Sequence, residues 1–303
     1  VAALNVWVAG AGAIGSLLAA HLSRVANVSV LVRRDDHARA LARDGLRVSG
    51  RADFTAHVEA ATDPEVLPDA QFVIIACKGT DLDAVAGRLA GRCPNATVMT
   101  IQNGLGAEEI VAGYGDWPLL SSVTFMSGTR HSDIHVEYVL DTATWIGPYR
   151  ATTPDDARAV ADLIASSGLK AEAFDDLRPA QWAKLIFNAT VNGVAALTGL
   201  PHDHHFAEDG LGDLVRGLVD EGKATAAAAG VTLHEDPWEM NVLATRRGSR
   251  HFPSMLEDVE ARRRTEVELI NGALVREALR HGVAVPLHDA VYTLVKAKEA
   301  SYS

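Results

Sequence analysis

Cysteine is scarce: 303 residues contain two, Cys77 and Cys93. Neither belongs to a CxxC or Cys/His spacing, which excludes a disulfide framework and a cysteine-built zinc site. Both are expected as reduced, buried thiols of a cytoplasmic protein. Positive charge is in deficit as well, since 28 Lys and Arg against 39 Asp and Glu leave a formal net charge of −11. That balance argues against nucleic acid or an anionic membrane as partner, while still allowing a local cationic pocket for a small anion. No apolar run reaches the roughly 18–20 residues of a membrane helix. Glycines interrupt the early apolar stretch at residues 9–15, so no signal peptide is expected. Low-complexity tracts are absent, and the composition, 48% hydrophobic and 22% charged, is that of a globular protein. At this length two domains are the expectation.

What is present begins with a glycine motif. Residues 4–9 (LNVWVA) read as a short buried strand, followed at once by Gly10-Ala11-Gly12-Ala13-Ile14-Gly15. An apolar helical pattern then covers residues 16–25, and residues 28–32 (VSVLV) form a second strand. Strand, GxGxxG, helix and strand in this order are the context in which the motif binds a dinucleotide. Gly10 permits the tight turn, Gly12 lets the backbone approach a pyrophosphate, and Gly15 lets helix and strand pack closely. The helix start, with Ala13 and Ile14, offers N–H groups to the phosphates. The second strand ends in Arg33-Arg34 where NAD sites usually carry Asp or Glu. A guanidinium suits a 2′-phosphate, so NADP is expected, with Arg33 placed better than Arg34. Asp35 and Asp36 read as the N-cap and first-turn acids of the next helix.

Further strands are expected at residues 72–76, ending at Cys77-Lys78, and at 97–101, ending at Gln102-Asn103-Gly104. Ligands of open parallel sheets bind beyond the carboxyl ends of the strands, which places Lys78 and Asn103 near a cofactor. A solvated lysine and a simple Asn-Gly turn are the plainer alternatives. Strands at 144–147 and 169–174 around a helix at 154–166 close this domain, with its boundary near residues 175–179.

From residue 180 the periodicity is helical. In the apolar segment 181–197, Lys184, Asn188 and Asn192 recur every four residues and share one face. A polar stripe on a buried helix needs partners, supplied by a ligand cleft or by an internal network. Along residues 252–278, Ser254 and Glu257 have the spacing of a capping box. Thr265-Glu266 is expected in mid-helix, and Gly272 suggests close packing against another helix. The run His202-Asp203-His204-His205 has ligand types but no second cluster, and no metal is expected.

Together these residues resemble the ketopantoate reductase (2-dehydropantoate 2-reductase) family over nearly the whole chain. The likeness is carried by GAGAIGS at residues 10–16, Arg33, Lys78, QNG at 102–104, KxxxNxxxN at 184–192 and the PSMLEDVEARRRTEVELINGALV block at 253–275. The last two are the specific ones. The resemblance implies an α/β, Rossmann-type doubly wound NADP-binding domain over residues 1–176 and an all-α substrate domain over 177–303. It implies NADPH-dependent reduction of a 2-oxo acid, ketopantoate to pantoate in pantothenate synthesis. Lys184 matches the family's catalytic lysine, and Glu266 a substrate-facing or lysine-orienting acid. Asn188, Asn192, Ser254 and Asn103 match substrate contacts. Lys78 and Asn103 also match cofactor-side residues near the nicotinamide, beside Gly10, Gly12, Ala13, Ile14, Gly15 and Arg33. A homodimer through the helical domain is a further expectation. Two stretches depart from the family pattern: Ser122 to Gly128, with bulky Phe125 and Met126, and Lys78 to Asp81, which lacks a glutamine. They keep open a related reductase of a bulkier 2-oxo acid or an imine. A non-catalytic NADP-binding sensor is the remaining alternative.

Overall fold

Strand β1 (Asn5–Ala9) is apolar on both faces, which requires a sheet covered on both sides. Val6 and Val8 enter one core together with Val28, Val30, Phe72 and Ile74. Trp7 and Ala9 enter a second core with Leu31, Val73 and Ile75. The computed structural model describes residues 4–202, 210–246 and 253–302. The chain divides into two compact units, Val1–Gln102 with Ala107–Leu177, and Asn103–Gly106 with Arg178–Ser303.

The first unit holds an eight-stranded sheet. Its members are β1, β2 (Asn27–Leu31), β5 (Glu59–Ala61), β6 (Phe72–Ile75), β7 (Thr97–Thr100), β8 (Leu119–Thr124), β11 (Thr144–Arg150) and β12 (Ala171–Ala173). Their order is β12-β11-β8-β7-β6-β1-β2-β5, parallel throughout except at the β8–β11 pair. The strand order reverses at β1, between β2 and β6. This is the switch point at which doubly wound sheets take their ligands. Helix α1 (Ala13–Leu22) starts three residues earlier than its apolar pattern suggests, with Gly12 as N-cap. Helix α2 (Asp35–Asp44) is capped by Arg34, so Asp35 and Asp36 are both first-turn residues and neither is the cap. Helices α3 (Leu82–Leu89) and α4 (Ala107–Ala112) follow β6 and β7. Helix α5 (Pro154–Ser166) has the expected bounds. Thr153 and Asp156 close a capping box on it, and Pro154 sits in the first turn.

A second, four-stranded sheet has the order β4-β3-β10-β9. It unites β3 (Leu46–Gly50) and β4 (Phe54–Ala56) with β9 (Ser127–Ser132) and β10 (His135–Leu140). β3 (LRVSG) and β10 (HVEYVL) alternate apolar and polar residues, but the polar β9 (SGTRHS) at the edge of the sheet carries no such pattern to announce it.

The second unit is helical in its described residues: α6 (Arg178–Thr198), α7 (Gly210–Ala228), α8 (Pro237–Arg246), α9 (Ser254–Glu260), α10 (Asn271–Arg280) and α11 (Pro286–Ala300). Trp182, Leu185, Ile186 and Ala189 of α6 share its core with Val215 and Leu218 of α7 and Val291 of α11. Glu221 of α7 accepts the backbone N–H groups of Leu287 and His288, both at 3.0 Å, and so caps α11. His288 is buried against the Leu218 carbonyl at 2.8 Å, and burial lowers its pKa to about 4, so it is neutral at pH 7. The segment 252–278 is not one helix. Arg262 adopts φ of 51°, α9 ends at Glu260, and residues 261–270 run as turns before α10 begins. Glu266 lies in these turns rather than in mid-helix. Gly272 does pack closely, since a Cβ there would lie 2.9 Å from Tyr292 Cε2 of α11.

Candidate active site

In the first unit the glycine turn connects β1 to α1. Gly10 has φ of 109°, and a Cβ on it would lie 2.6 Å from the Cys77 nitrogen; a Cβ on Gly15 would lie 2.0 Å from the Gly10 carbonyl oxygen. Only glycine fits either place. Gly12 differs: it is exposed, and nothing lies within 4 Å of the position its Cβ would take. No side chain caps the first turn of α1, which includes Ala13 and Ile14, and no acidic residue stands in it. Backbone donors, a helix N-terminus and missing side chains fit the pyrophosphate of a dinucleotide.

Arg33 is 76% exposed beyond β2, with Asp81 as a partner at 3.3 Å. Arg34 is engaged differently. Asp133 pairs with it, and Asp36 lies 3.6 Å away. Lys78 is exposed at the end of β6, where it precedes a 3-10 turn at Gly79–Asp81. Gln102 donates its amide to the carbonyls of Ile75 at 2.8 Å and Cys77 at 2.9 Å, tying the end of β6 to the end of β7. Arg130 of β9 has no motif around it and goes unnoticed in the sequence. Its guanidinium donates to the Ala11 carbonyl of the glycine turn at 3.3 Å and to Asp133 at 2.6 Å. Phe125 stacks edge-on with Trp145 at 6.1 Å between ring centroids.

In the second unit Lys184, Asn188 and Asn192 are all buried on α6. Burial lowers the Lys184 pKa to about 8, and the carboxylate of Glu266 opposes that shift. Asn103 joins the same group. Its amide donates to Glu266 at 3.3 Å, and its carbonyl oxygen accepts from Asn188 at 3.5 Å. Gly104 fixes the approach of this loop. Its φ is 98°, a Cβ on it would lie 1.8 Å from the Leu269 carbonyl oxygen, and that oxygen accepts the Leu105 N–H at 2.9 Å. Four expected residues, Lys184, Asn188, Glu266 and Asn103, are thus brought together, with Asn192 one turn further along α6. Ser254 is exposed at the first position of α9, whose cap residue is Pro253; no side-chain cap bond forms, and no capping box with it. Ser254 is not hydrogen-bonded to the Lys184 group among the described residues.

A buried ammonium near a carboxylate and two amides can hold an anionic group and hand it a proton. The model for ketopantoate reductase PanE/ApbA matches residues 6–151, and that for its C-terminal part matches residues 176–299. The chain belongs to the ketopantoate reductase family. The 2-dehydropantoate 2-reductase of Archaeoglobus fulgidus is 31% identical, with 98% of each chain covered. Among solved structures, a PanE/ApbA family ketopantoate reductase from Ralstonia eutropha JMP134 superposes with a TM-score of 0.91 at 26% identity, over 99% of each chain. D-mandelate dehydrogenase, solved with NADH and anilino(oxo)acetate, gives 0.89 at 23% identity over 99% of each chain, a likeness of fold alone. The two cysteines form no disulfide; Cys93 is buried as expected, whereas Cys77 is only partly buried. His202 is buried, and residues 203–205 of the histidine run lie outside the described residues. No group of three or more potential metal ligands occurs among the described residues, and no helix there is long and apolar enough to cross a membrane.

Proposed function

We infer that this protein reduces 2-dehydropantoate to pantoate with NADPH. The observation that carries the inference is Lys184, buried on α6 with its pKa brought to about 8 beside Glu266. The chemistry a nicotinamide would supply when bound is a hydride for the ketone carbon. The oxygen then gains negative charge, which the Lys184 ammonium stabilises before giving up its proton to it. At pH 7 a lysine of this pKa is still mostly protonated and is a far better donor than an unshifted one. Glu266 holds the ammonium and accepts from Asn103, while the Asn188 and Asn192 amides donate to the substrate carboxylate. Ser254, exposed at the start of α9, would be a further contact of the acid.

Gly10, Gly12, Ala13, Ile14 and Gly15 would hold the pyrophosphate, and Lys78 would lie near the nicotinamide half. Two features support Arg33 as the 2′-phosphate residue: its exposure, and the engagement of Arg34 by Asp133 and Asp36. The test is NADPH oxidation followed at 340 nm with ketopantoate beside bulkier 2-oxo acids. Ketopantoate is expected to turn over fastest, and Lys184→Ala to lose about 10²–10³-fold in kcat while still binding NADPH. Wild-type turnover by Lys184→Ala would remove the lysine from the mechanism. Turnover of a bulkier acid alone would move the substrate and keep the chemistry.

A further inference from the structure

Glu266 sits on a segment with no regular structure to hold it, residues 261–270, entered through the left-handed Arg262. What holds it is α11. The backbone N–H and the hydroxyl of Thr265 both donate to one oxygen of Glu299, each at 2.7 Å. The Thr265 oxygen in turn accepts the N–H of Val267 at 3.2 Å, so the bonds bracket Glu266 on both sides. Thr265 is buried, and the Glu299 side chain is only 9% exposed. Two short bonds to a carboxylate shielded from water are strong and directional. A second attachment, Glu268 to Lys296 at 2.8 Å and to Tyr292 at 2.9 Å, is half exposed and correspondingly weak.

We propose that Glu299 is a positioning residue of the reductase: by clamping Thr265 it fixes the carboxylate of Glu266 against Lys184. The proposal rests on Lys184 and Glu266 being the working pair. Glu299 does not touch the group itself. The charged side chain whose field acts on Lys184 is Glu266. Glu299 is faced by Lys296, 3.6 Å away on its own helix, and by Tyr302 just beyond that helix's end. Its effect on the reaction must therefore pass through the placement of the 265–267 turn. Released from the clamp, Glu266 withdraws, and Lys184 loses the carboxylate that keeps its proton on.

The experiment follows the Lys184 side-chain Cε signal against pH by NMR in 13C-lysine protein, assigned with Lys184→Arg, beside kcat and KM. Glu299→Ala is expected to lower the Lys184 midpoint by about one pH unit. At pH 8 that reduces kcat about fivefold and leaves the NADPH KM within about twofold. Glu299→Gln keeps an oxygen that accepts both bonds, so its midpoint stays near the wild-type value. An unmoved midpoint in folded Glu299→Ala overturns the proposal. So does a Gln variant that shifts as far as the Ala variant, which would make charge rather than position the cause. Should Glu299→Ala not fold, Thr265→Val, which loses the hydroxyl's bonds to Glu299 and Val267 but keeps the backbone bond to Glu299, must show a smaller shift of the same sign, and no shift there overturns the proposal too. Failure of the underlying assignment looks different: Lys184→Ala would then turn over normally, whatever the NMR midpoints do.

Discussion

Lys184 is buried among apolar neighbours, and burying an ammonium is costly unless a partner compensates it. The compensation is incomplete, because the pKa still settles at about 8 rather than at the ordinary 10.5. Two consequences have opposite pH dependence. Activity in the direction of reduction should fall as pH rises through about 8, because the proton donor is lost. Stability should rise over the same range. The folded pKa lies below the unfolded one, so between about 8 and 10.5 the unfolded chain binds more protons, and raising the pH favours the fold. Lys184→Met should therefore stabilise the protein at pH 7, by up to about 3 kcal/mol, and flatten its stability between pH 8 and 10. Denaturant titrations at pH 7 and pH 10 decide this; a Met variant less stable than wild type at pH 7 would mean that Glu266 more than repays the burial. At the other unit, Arg33→Ala should weaken NADPH binding by about 10–100-fold and NADH by no more than about threefold. Equal weakening of both, measured by fluorescence titration, would remove Arg33 from the 2′-phosphate.

Among the elements, β1, β6 and α6 were legible because their burial is written into composition. The first two are apolar on both faces, and the third carries a polar stripe through an apolar helix. Glu266 was legible only by family likeness. Its local sequence reads as a helix, and the break at Arg262 is made by a backbone angle that Arg rarely adopts and no residue pattern announces. The capping-box reading of Ser254 and Glu257 fails for a related reason: that spacing is common, and here Pro253 already occupies the cap. Arg130 and the second sheet escaped because pairing across about 90 residues leaves no local trace. An ordinary turn is the plainer alternative for Asn103-Gly104, yet its glycine meets Leu269 more closely than any side chain permits. Gly104→Ala should therefore cost several kcal/mol, combining an unfavourable φ with the lost Leu105–Leu269 hydrogen bond. It should also depress kcat, since Asn103 would no longer reach Glu266. A thermal melt and a rate measurement on the same preparation test both, and a variant with wild-type melting would contradict the steric reading.

At the scale of the whole molecule, a net charge of −11 leaves the anion sites to local geometry. The open space over Gly12 makes this measurable. Gly12→Asp adds a side chain that meets nothing in the unliganded protein, so its melting temperature should be close to that of wild type. NADPH at about 100 times its Kd should stabilise the wild-type protein by about 2.7 kcal/mol and the variant by almost nothing. An unchanged ligand-induced shift would place the phosphates elsewhere.

The loop at Asn103–Gly106 belongs with residues that the ribosome adds much later. Leu105 waits for a carbonyl about 160 residues further on, and at the usual 5–20 residues per second that delay is on the order of ten seconds or more. Throughout it, strands on either side of the loop can already pair, while Asn103 has neither Asn188 nor Glu266 to meet. The polar group around Lys184 therefore cannot be inherited from a folded early half of the chain. It closes only after the turn that carries Glu266 has been made, and Glu299, which secures that turn, is made later still.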